Sequence, residues 1–82
     1  MKVIKVKAVK RQEKEIYIDT DFIKLDSALK LCDIAQTGGH AKILITEGEI
    51  FVNGEECLQR GKKLRSGDKI EYENTVYIIK KR

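Results

Sequence analysis

The chain has 82 residues, with 17 Lys and Arg residues against 13 Asp and Glu residues and a net charge of +4. A chain of this length forms one domain and buries too little surface for a deep cleft between two lobes. Hydrophobic residues make up 41% of the sequence, which excludes a disordered chain. The basic residues concentrate at the two ends and in one loop, which favours a polyanionic partner; the alternative is that the lysines only maintain solubility.

Cysteine and histidine are scarce, because Cys32, Cys57 and His40 are the only residues of these types. They cannot supply the four ligands of a Cys/His zinc site, so we expect no metal and no cofactor. No nucleophile and orienting carboxylate can be matched with His40. We therefore expect no catalytic residues, no small-molecule substrate and no enzymatic activity.

Localisation is predicted from the apolar pattern and from the cysteines. No apolar run approaches the roughly 18 residues of a membrane span, and the N-terminus has no signal-peptide core. The two cysteines lack a CxxC spacing, which is typical of reduced thiols in a cytosolic setting. We expect a cytoplasmic protein with no membrane partner.

The N-terminal segment is basic and alternates between apolar and polar residues. Residues 1–9 predict a strand with a lysine-coated face, residues 10–14 a turn, and residues 15–19 a second strand. A basic β-hairpin or strand is therefore expected over residues 1–19, as an extension of a domain that spans residues 20–82. The alternative is a basic tail followed by one strand.

Two helices are predicted in the middle of the chain. Thr20 and Asp21 can cap the first helix, whose apolar positions recur at offsets of three, four and seven residues. They are Leu25, Ala28, Leu29 and Cys32, and the helix is expected to close at Ile34 and Ala35. Thr37 or Gly38 can cap the second helix, and Gly48 is placed to end it in a left-handed conformation. Its inward stripe is Ala41, Leu44 and Ile45.

Short strands are predicted after the second helix. A strand over residues 49–52 meets Asn53-Gly54, the favoured dipeptide of a two-residue hairpin turn, and residues 55–59 return from it. A basic loop, RGKKLR, occupies residues 60–65, and further strands are expected over residues 69–73 and 75–79. The predicted fold class is α+β.

The TGGHAK segment, residues 37–42, joins the two predicted helices. Two glycines at the start of a helix leave backbone N–H groups accessible to a phosphate or carboxylate, with Lys42 one turn further on. The alternative is a tight turn that needs glycine for its shape only.

The RGKKLR loop is the strongest charge signal in the chain. Four basic residues in six suit contacts to a phosphate backbone, which position a nucleic acid without reading its sequence. The alternative is a lysine cluster that protects a sheet edge. Aromatic residues are few, so an RNA partner would be recognised by its backbone shape more than by splayed-out bases.

The combined pattern resembles a known family. The run KLDSALKLCDIAQTGGHAKILITEGEIFVNG, followed by a basic loop and GDKIEY, is similar to the S-four-like domain, the small RNA-binding domain named after ribosomal small-subunit protein four. That family reads R-L-D, then S-R-S-E-A-R, then G-x-V-x-V-N-G and finally G-D-x-I. The counterparts here are residues 24–26, 37–42, 48–54 and 67–70. The glycine pair is most similar to the small stand-alone bacterial members of the YaaA/YbcJ type.

The resemblance implies an αL motif, in which a helix-turn-helix packs on a small antiparallel β-sheet and binds structured RNA such as ribosomal RNA. The RNA-binding residues that it implies are Lys24, Thr37, Gly38, Gly39, His40 and Lys42, flanked by Arg60, Lys62, Lys63 and Arg65. Lys24 stands where the family has arginine, and the S-R-S-E arginine is absent. Fewer guanidinium groups mean weaker bidentate phosphate contacts, so we expect modest affinity or dependence on a larger partner.

We therefore predict a non-enzymatic RNA-binding module whose partner is structured RNA, with ribosomal RNA or the ribosome as the leading candidate. One alternative is a protein-interaction adaptor that kept the fold and lost RNA binding. Another is an accessory subunit of an RNA-modifying enzyme or a ribonucleoprotein.

Overall fold

The computed structural model describes residues 11–82 and has an α+β architecture, as the sequence predicted. Two helices and seven strands follow in the order β1 (Gln12–Ile18), β2 (Ile23–Lys24), α1 (Leu25–Leu31), α2 (Gly38–Thr46), β3 (Phe51–Val52), β4 (Glu55–Glu56), β5 (Lys63–Leu64), β6 (Lys69–Tyr72) and β7 (Thr75–Lys81). No helix within these residues is long and apolar enough to span a membrane.

The main sheet has five strands in the order β1-β7-β6-β3-β4, and a separate two-stranded sheet pairs β2 with β5. Neighbouring strands are antiparallel except β1 and β7, which are parallel and begin with Gln12 opposite Thr75. The turn predicted over residues 10–14 is wrong for Gln12–Lys14, which belong to β1. Their partner lies some 60 residues further along the chain, so the local pattern could not reveal this pairing. The strand predicted over residues 1–9 lies outside the described residues.

Helix α1 starts later and ends earlier than predicted. The hydroxyl of Thr20 donates to the carbonyl of Phe22 at 2.7 Å and does not cap the helix, which begins after Lys24. The helix stops at Leu31 because Asp33 takes a left-handed conformation with φ of 63°. Ile34 and Ala35, placed in the helix by the sequence analysis, are buried in the following loop.

The second helix and the turns around β3 follow the prediction closely. Thr37 caps α2, and Gly48 follows it with φ of 76°. A side chain on Gly48 would be strained by this positive φ, so the backbone conformation favours glycine there. Asn53 and Gly54 both have positive φ, 52° and 87°, as the predicted hairpin turn needs.

The core lies between the helices and one face of the main sheet. Its largest fully buried side chains come from the helices and from four strands or their flanks: Leu25, Leu29, Ile45, Ile50, Leu64, Ile70 and Ile79. The stripe predicted on α2, Ala41 with Leu44 and Ile45, is buried as expected. Both cysteines are free thiols, with Cys57 buried and Cys32 half-buried against the core.

Candidate nucleic-acid interface

The two-stranded sheet builds the first part of the candidate interface. Leu64 of β5 is fully buried and lies opposite Ile23, while Lys63 lies opposite Lys24. Because side chains alternate along a strand, burial of Leu64 sends Lys63 and Arg65 to the exposed side. The loop predicted over residues 60–65 is wrong for Lys63 and Leu64, which form β5. We call Lys24, Arg60, Lys62, Lys63 and Arg65 the basic cluster; all five are exposed.

The backbone of the basic cluster caps helix α1. The carbonyl of Lys62 accepts from the backbone N–H of Leu25 at 2.8 Å, and the carbonyl of Arg60 accepts from that of Asp26 at 3.1 Å. These two bonds satisfy N–H groups at the helix start that have no partner inside the helix. The cap that Thr20 and Asp21 were expected to supply therefore comes from a distant segment, and it anchors the basic cluster to the first turn of α1.

The charges of the basic cluster are largely uncompensated. Arg60 faces Asp26, with 3.9 Å between its Nε and the nearer carboxylate oxygen. Within residues 11–82 the other four cations of the cluster form no ion pair. Lys24 and Lys63 lie directly opposite each other on paired strands, an arrangement of like charges that destabilises a sheet. The free protein thus holds a concentration of positive charge that an anion would relieve.

Phe22 belongs to this site and was not singled out by the sequence. Its half-buried ring lies 4.8 Å from Lys63 Nζ and 5.7 Å from the guanidinium carbon of Arg65, measured to the ring centroid. Both distances are within the range of cation–π attraction. Only the pairing of β2 with β5 brings the ring to these cations, since about 40 residues separate them in the chain.

A hydrogen-bonded network holds one end of the basic cluster. The Asp68 carboxylate accepts from the backbone N–H of Arg65 at 2.8 Å and from the side-chain amide of Asn53 at 3.1 Å. The Asn53 amide oxygen accepts in turn from the backbone N–H of Lys69 at 3.0 Å. The Asn53-Gly54 turn and the Gly67-Asp68 turn, two motifs of the family pattern, therefore fix the backbone that carries Arg65.

The start of α2 forms the second part of the candidate interface. The hydroxyl of Thr37 accepts from the backbone N–H of His40 at 3.0 Å, and His40 Nδ1 accepts from the backbone N–H of Gln36 at 3.4 Å. His40 thus helps to order the entry into the helix and leaves its Nε2 edge exposed. We call residues 37–42 the glycine turn; apart from Ala41 they are all exposed.

The two glycines of the glycine turn are not required by the fold. Neither has a positive φ. A Cβ on Gly38 would meet no atom within 4 Å, and one on Gly39 would meet only the hydroxyl of Thr37, at 3.9 Å. The fold therefore leaves room for a side chain at both positions.

The basic cluster lies at the start of α1, and the glycine turn lies at the start of α2. The cluster sits at the start of α1, whose seven residues span about 10 Å, and the glycine turn follows the loop after its end. The structure thus brings Lys24, Lys63 and Arg65 together, while Lys62 lines a groove with Glu55 and Glu56. The other predicted residues form a separate patch at the start of α2: Thr37, Gly38, Gly39, His40 and Lys42.

Metal-ligating side chains do not cluster in the described part of the chain. No group of three or more His, Cys, Asp or Glu side chains is placed to hold a metal ion within residues 11–82. Burial raises the pKa of the Cys32 thiol to about 12, with a smaller contribution from the charge of Asp33. This thiol is therefore protonated at neutral pH and is a poor nucleophile.

Comparison with known proteins identifies the family. The model of the S4 domain matches residues 16–80, which is most of the chain, so this protein belongs to the S4 domain family. A relative from Bacillus subtilis (strain 168), named "Probable ribosome maturation protein RlbA", is 48% identical over 58 residues. That alignment covers 71% of this chain and 82% of the relative.

Proposed function

We propose that the protein binds structured RNA through its phosphate backbone, using the basic cluster and the glycine turn, and that it acts without catalysing a reaction. Ribosomal RNA is the favoured partner, because the relative from Bacillus subtilis is named as a ribosome maturation protein. Assembly of the ribosome is accordingly the process in which we expect the protein to act.

The observation that carries this proposal is the uncompensated charge of the basic cluster. Four of its cations have no carboxylate partner within residues 11–82, and two of these, Lys24 and Lys63, oppose each other directly. Keeping like charges together costs stability, and binding a polyanion recovers that cost. The exposed backbone of the glycine turn supports the same interpretation, because it admits a phosphate close to the N–H groups of α2.

The mode of recognition follows from the side chains available. Lysine is a point charge without the planar fork of arginine, so it holds a phosphate without demanding one orientation. The basic cluster and the glycine turn together offer few aromatic or amide groups for reading base edges. We therefore propose recognition of RNA shape, with modest affinity for isolated RNA and tighter binding on a preribosomal particle.

The first experiment titrates the purified protein with a structured ribosomal RNA fragment and with a duplex DNA of the same length, across a series of salt concentrations. About four phosphate contacts give a slope of roughly −3 when the logarithm of the association constant is plotted against that of the salt concentration. Replacing Lys42, Lys62 and Lys63 with alanine should weaken binding and flatten that slope by about 2. The matched control replaces Lys14, Lys69 and Lys80, which removes the same charge from β1, β6 and β7 and breaks no ion pair within residues 11–82.

A protein-interaction adaptor is the second candidate. Leu31 of α1 and Ile43 of α2 are about half exposed, at 50% and 54%, and they offer apolar surface to a protein partner. If binding to RNA and DNA is equally weak, or if both triple variants lose affinity alike, direct RNA recognition is refuted. The adaptor then becomes the leading candidate, and it predicts that replacing Lys62 and Lys63 leaves capture of the protein partner intact.

A further inference from the structure

We propose that Phe22 is the positioning residue of a preformed phosphate clamp, in which its ring holds the cationic groups of Lys63 and Arg65 beside Lys24. The ligand of the clamp is a phosphodiester of the RNA backbone, so this inference rests on the proposed function and adds to it the residue that organises the site.

The clamp is formed by Lys24 and Lys63 of the two-stranded sheet and by the residues that flank its strands, Phe22 before β2 and Arg65 after β5. Ile23 lies opposite Leu64, and Lys24 opposite Lys63. Extending this antiparallel register by one residue sets Phe22 opposite Arg65. Because the side chains of Ile23 and Leu64 turn toward the core, the flanking residues on both strands share the outer side. One aromatic ring and three cations therefore occupy adjacent positions on a single small face.

The Phe22 ring offsets the repulsion between the cations on this face. Three cations at adjacent positions repel one another, and long side chains on a surface would swing apart into water. The face of the Phe22 ring carries partial negative charge, and it lies 4.8 Å from Lys63 Nζ and 5.7 Å from the guanidinium carbon of Arg65. The ring therefore attracts Lys63 and Arg65, while Lys24 lies opposite Lys63 on the paired strand.

The backbone beneath the clamp is fixed as well. Lys62 is tied to the start of α1 through its carbonyl, and the backbone N–H of Arg65 is held by the carboxylate of Asp68. Because the backbone and these side chains are already held in place, binding of the phosphate costs little conformational entropy. Holding two long side chains in place before binding corresponds to roughly ten-fold in affinity.

The test compares three variants with the native protein in the titration against the ribosomal RNA fragment. Phe22→Leu keeps an apolar side chain but removes the ring, Phe22→Trp keeps an aromatic face, and Phe51→Leu removes the other phenylalanine of the chain. Phe51 is 39% exposed on the strand β3, away from the basic cluster, and is the matched control. We expect Phe22→Leu to bind about ten-fold more weakly, with the number of phosphate contacts, and hence the salt slope, little changed. Phe22→Trp and Phe51→Leu should bind like the native protein.

A second measurement addresses the clamp without RNA. In the NMR spectrum of the free protein, protons over an aromatic ring shift upfield, so the terminal methylene of Lys63 should be shifted in the native protein and not in Phe22→Leu. Native affinity in Phe22→Leu, or equal losses in Phe22→Leu and in a folded Phe22→Trp, would overturn the inference. An absent upfield shift would overturn it even if RNA binding were intact, whereas a shift in a protein that does not bind RNA would refute the proposed function and retain the preformed cluster.

Discussion

Replacing the two glycines of the glycine turn with alanine should make the protein more stable and a worse RNA binder. Gly38 and Gly39 are the first two residues of α2, and a Cβ fits at either position without a clash. Their backbone conformation is open to any residue, because neither has a positive φ. Alanine also restricts the unfolded chain more than glycine does, which favours folding.

The expected gain in folding stability follows from helix propensity. Alanine is better than glycine by up to about 1 kcal/mol in a helix interior, and by less in the first turn, where the N–H groups make no helical hydrogen bonds. For Gly38→Ala/Gly39→Ala together we expect a gain of about 1 kcal/mol. In a domain of this size such a gain raises the melting temperature by roughly 4–8 °C.

RNA binding should change in the opposite direction. A methyl group on either residue separates a phosphate from the backbone N–H groups at the helix start. A hydrogen bond to a charged group contributes about 1.5–3 kcal/mol, so loss of one such contact weakens binding by at least about ten-fold.

The assay combines thermal unfolding, followed by circular dichroism, with titration against the ribosomal RNA fragment. Gly48→Ala is the control for the direction of the stability change, because the positive φ of Gly48 makes that substitution destabilising. A fall in the melting temperature of the double variant would refute the conclusion that the fold does not need these glycines. A rise in stability with unchanged RNA affinity would remove the glycine turn from the interface.

Two further predictions concern the hydrogen-bonded network of Asn53 and Asp68 and the half-buried thiol of Cys32. Asn53→Ala removes two side-chain hydrogen bonds and leaves alanine at a φ of 52°. We therefore expect the free energy of unfolding, measured with denaturant, to fall by about 2 kcal/mol or more. The control is Asn74→Ala: the Asn74 side chain makes no hydrogen bond in the described part of the chain, so the free energy should change by less than about 0.5 kcal/mol. With its pKa raised to about 12, the Cys32 thiol should react with iodoacetamide at pH 8 roughly a thousand-fold more slowly than in the unfolded chain. Because the raised pKa means that the folded protein retains this proton, the thiol's contribution to stability is complete below the unfolded pKa and is lost as the pH rises from about 9 toward 12. Equal alkylation rates in folded and unfolded Cys57→Ala protein, a background that isolates Cys32, would contradict this.

Local chemistry made much of the fold predictable. The cap of α2 depends on Thr37 and on the N–H group three residues later, and the hairpin turn depends on two adjacent residues that tolerate positive φ. The inward stripe of α2 repeats with the helical period, so Ala41, Leu44 and Ile45 could be placed in the core from their spacing. The family pattern extended these short-range signals to the whole α+β domain, and the matched S4 domain agrees with it.

The basic residues of the candidate interface were also visible in the sequence, because a run of four cations in six residues is a property of composition. The secondary structure of these residues could not be predicted from their composition. The sequence suggested a loop, but Leu64 is drawn into the core and pairs with Ile23, which turns Lys63 and Leu64 into a strand. Burial of that leucine depends on the core that distant parts of the chain form together.

Only the tertiary structure decided the contacts between distant segments. The parallel pairing of β1 with β7, the capping of α1 by Arg60 and Lys62, and the position of Phe22 beneath Lys63 all join parts of the chain that are about 35 to 60 residues apart. Sequence periodicity reports which side of an element is apolar, but it carries no information on which partner covers that side. The sequence therefore determined the second helix, the hairpin turn and the charge, whereas packing around one small core decided the strands β1 and β5 and the arrangement of the charges.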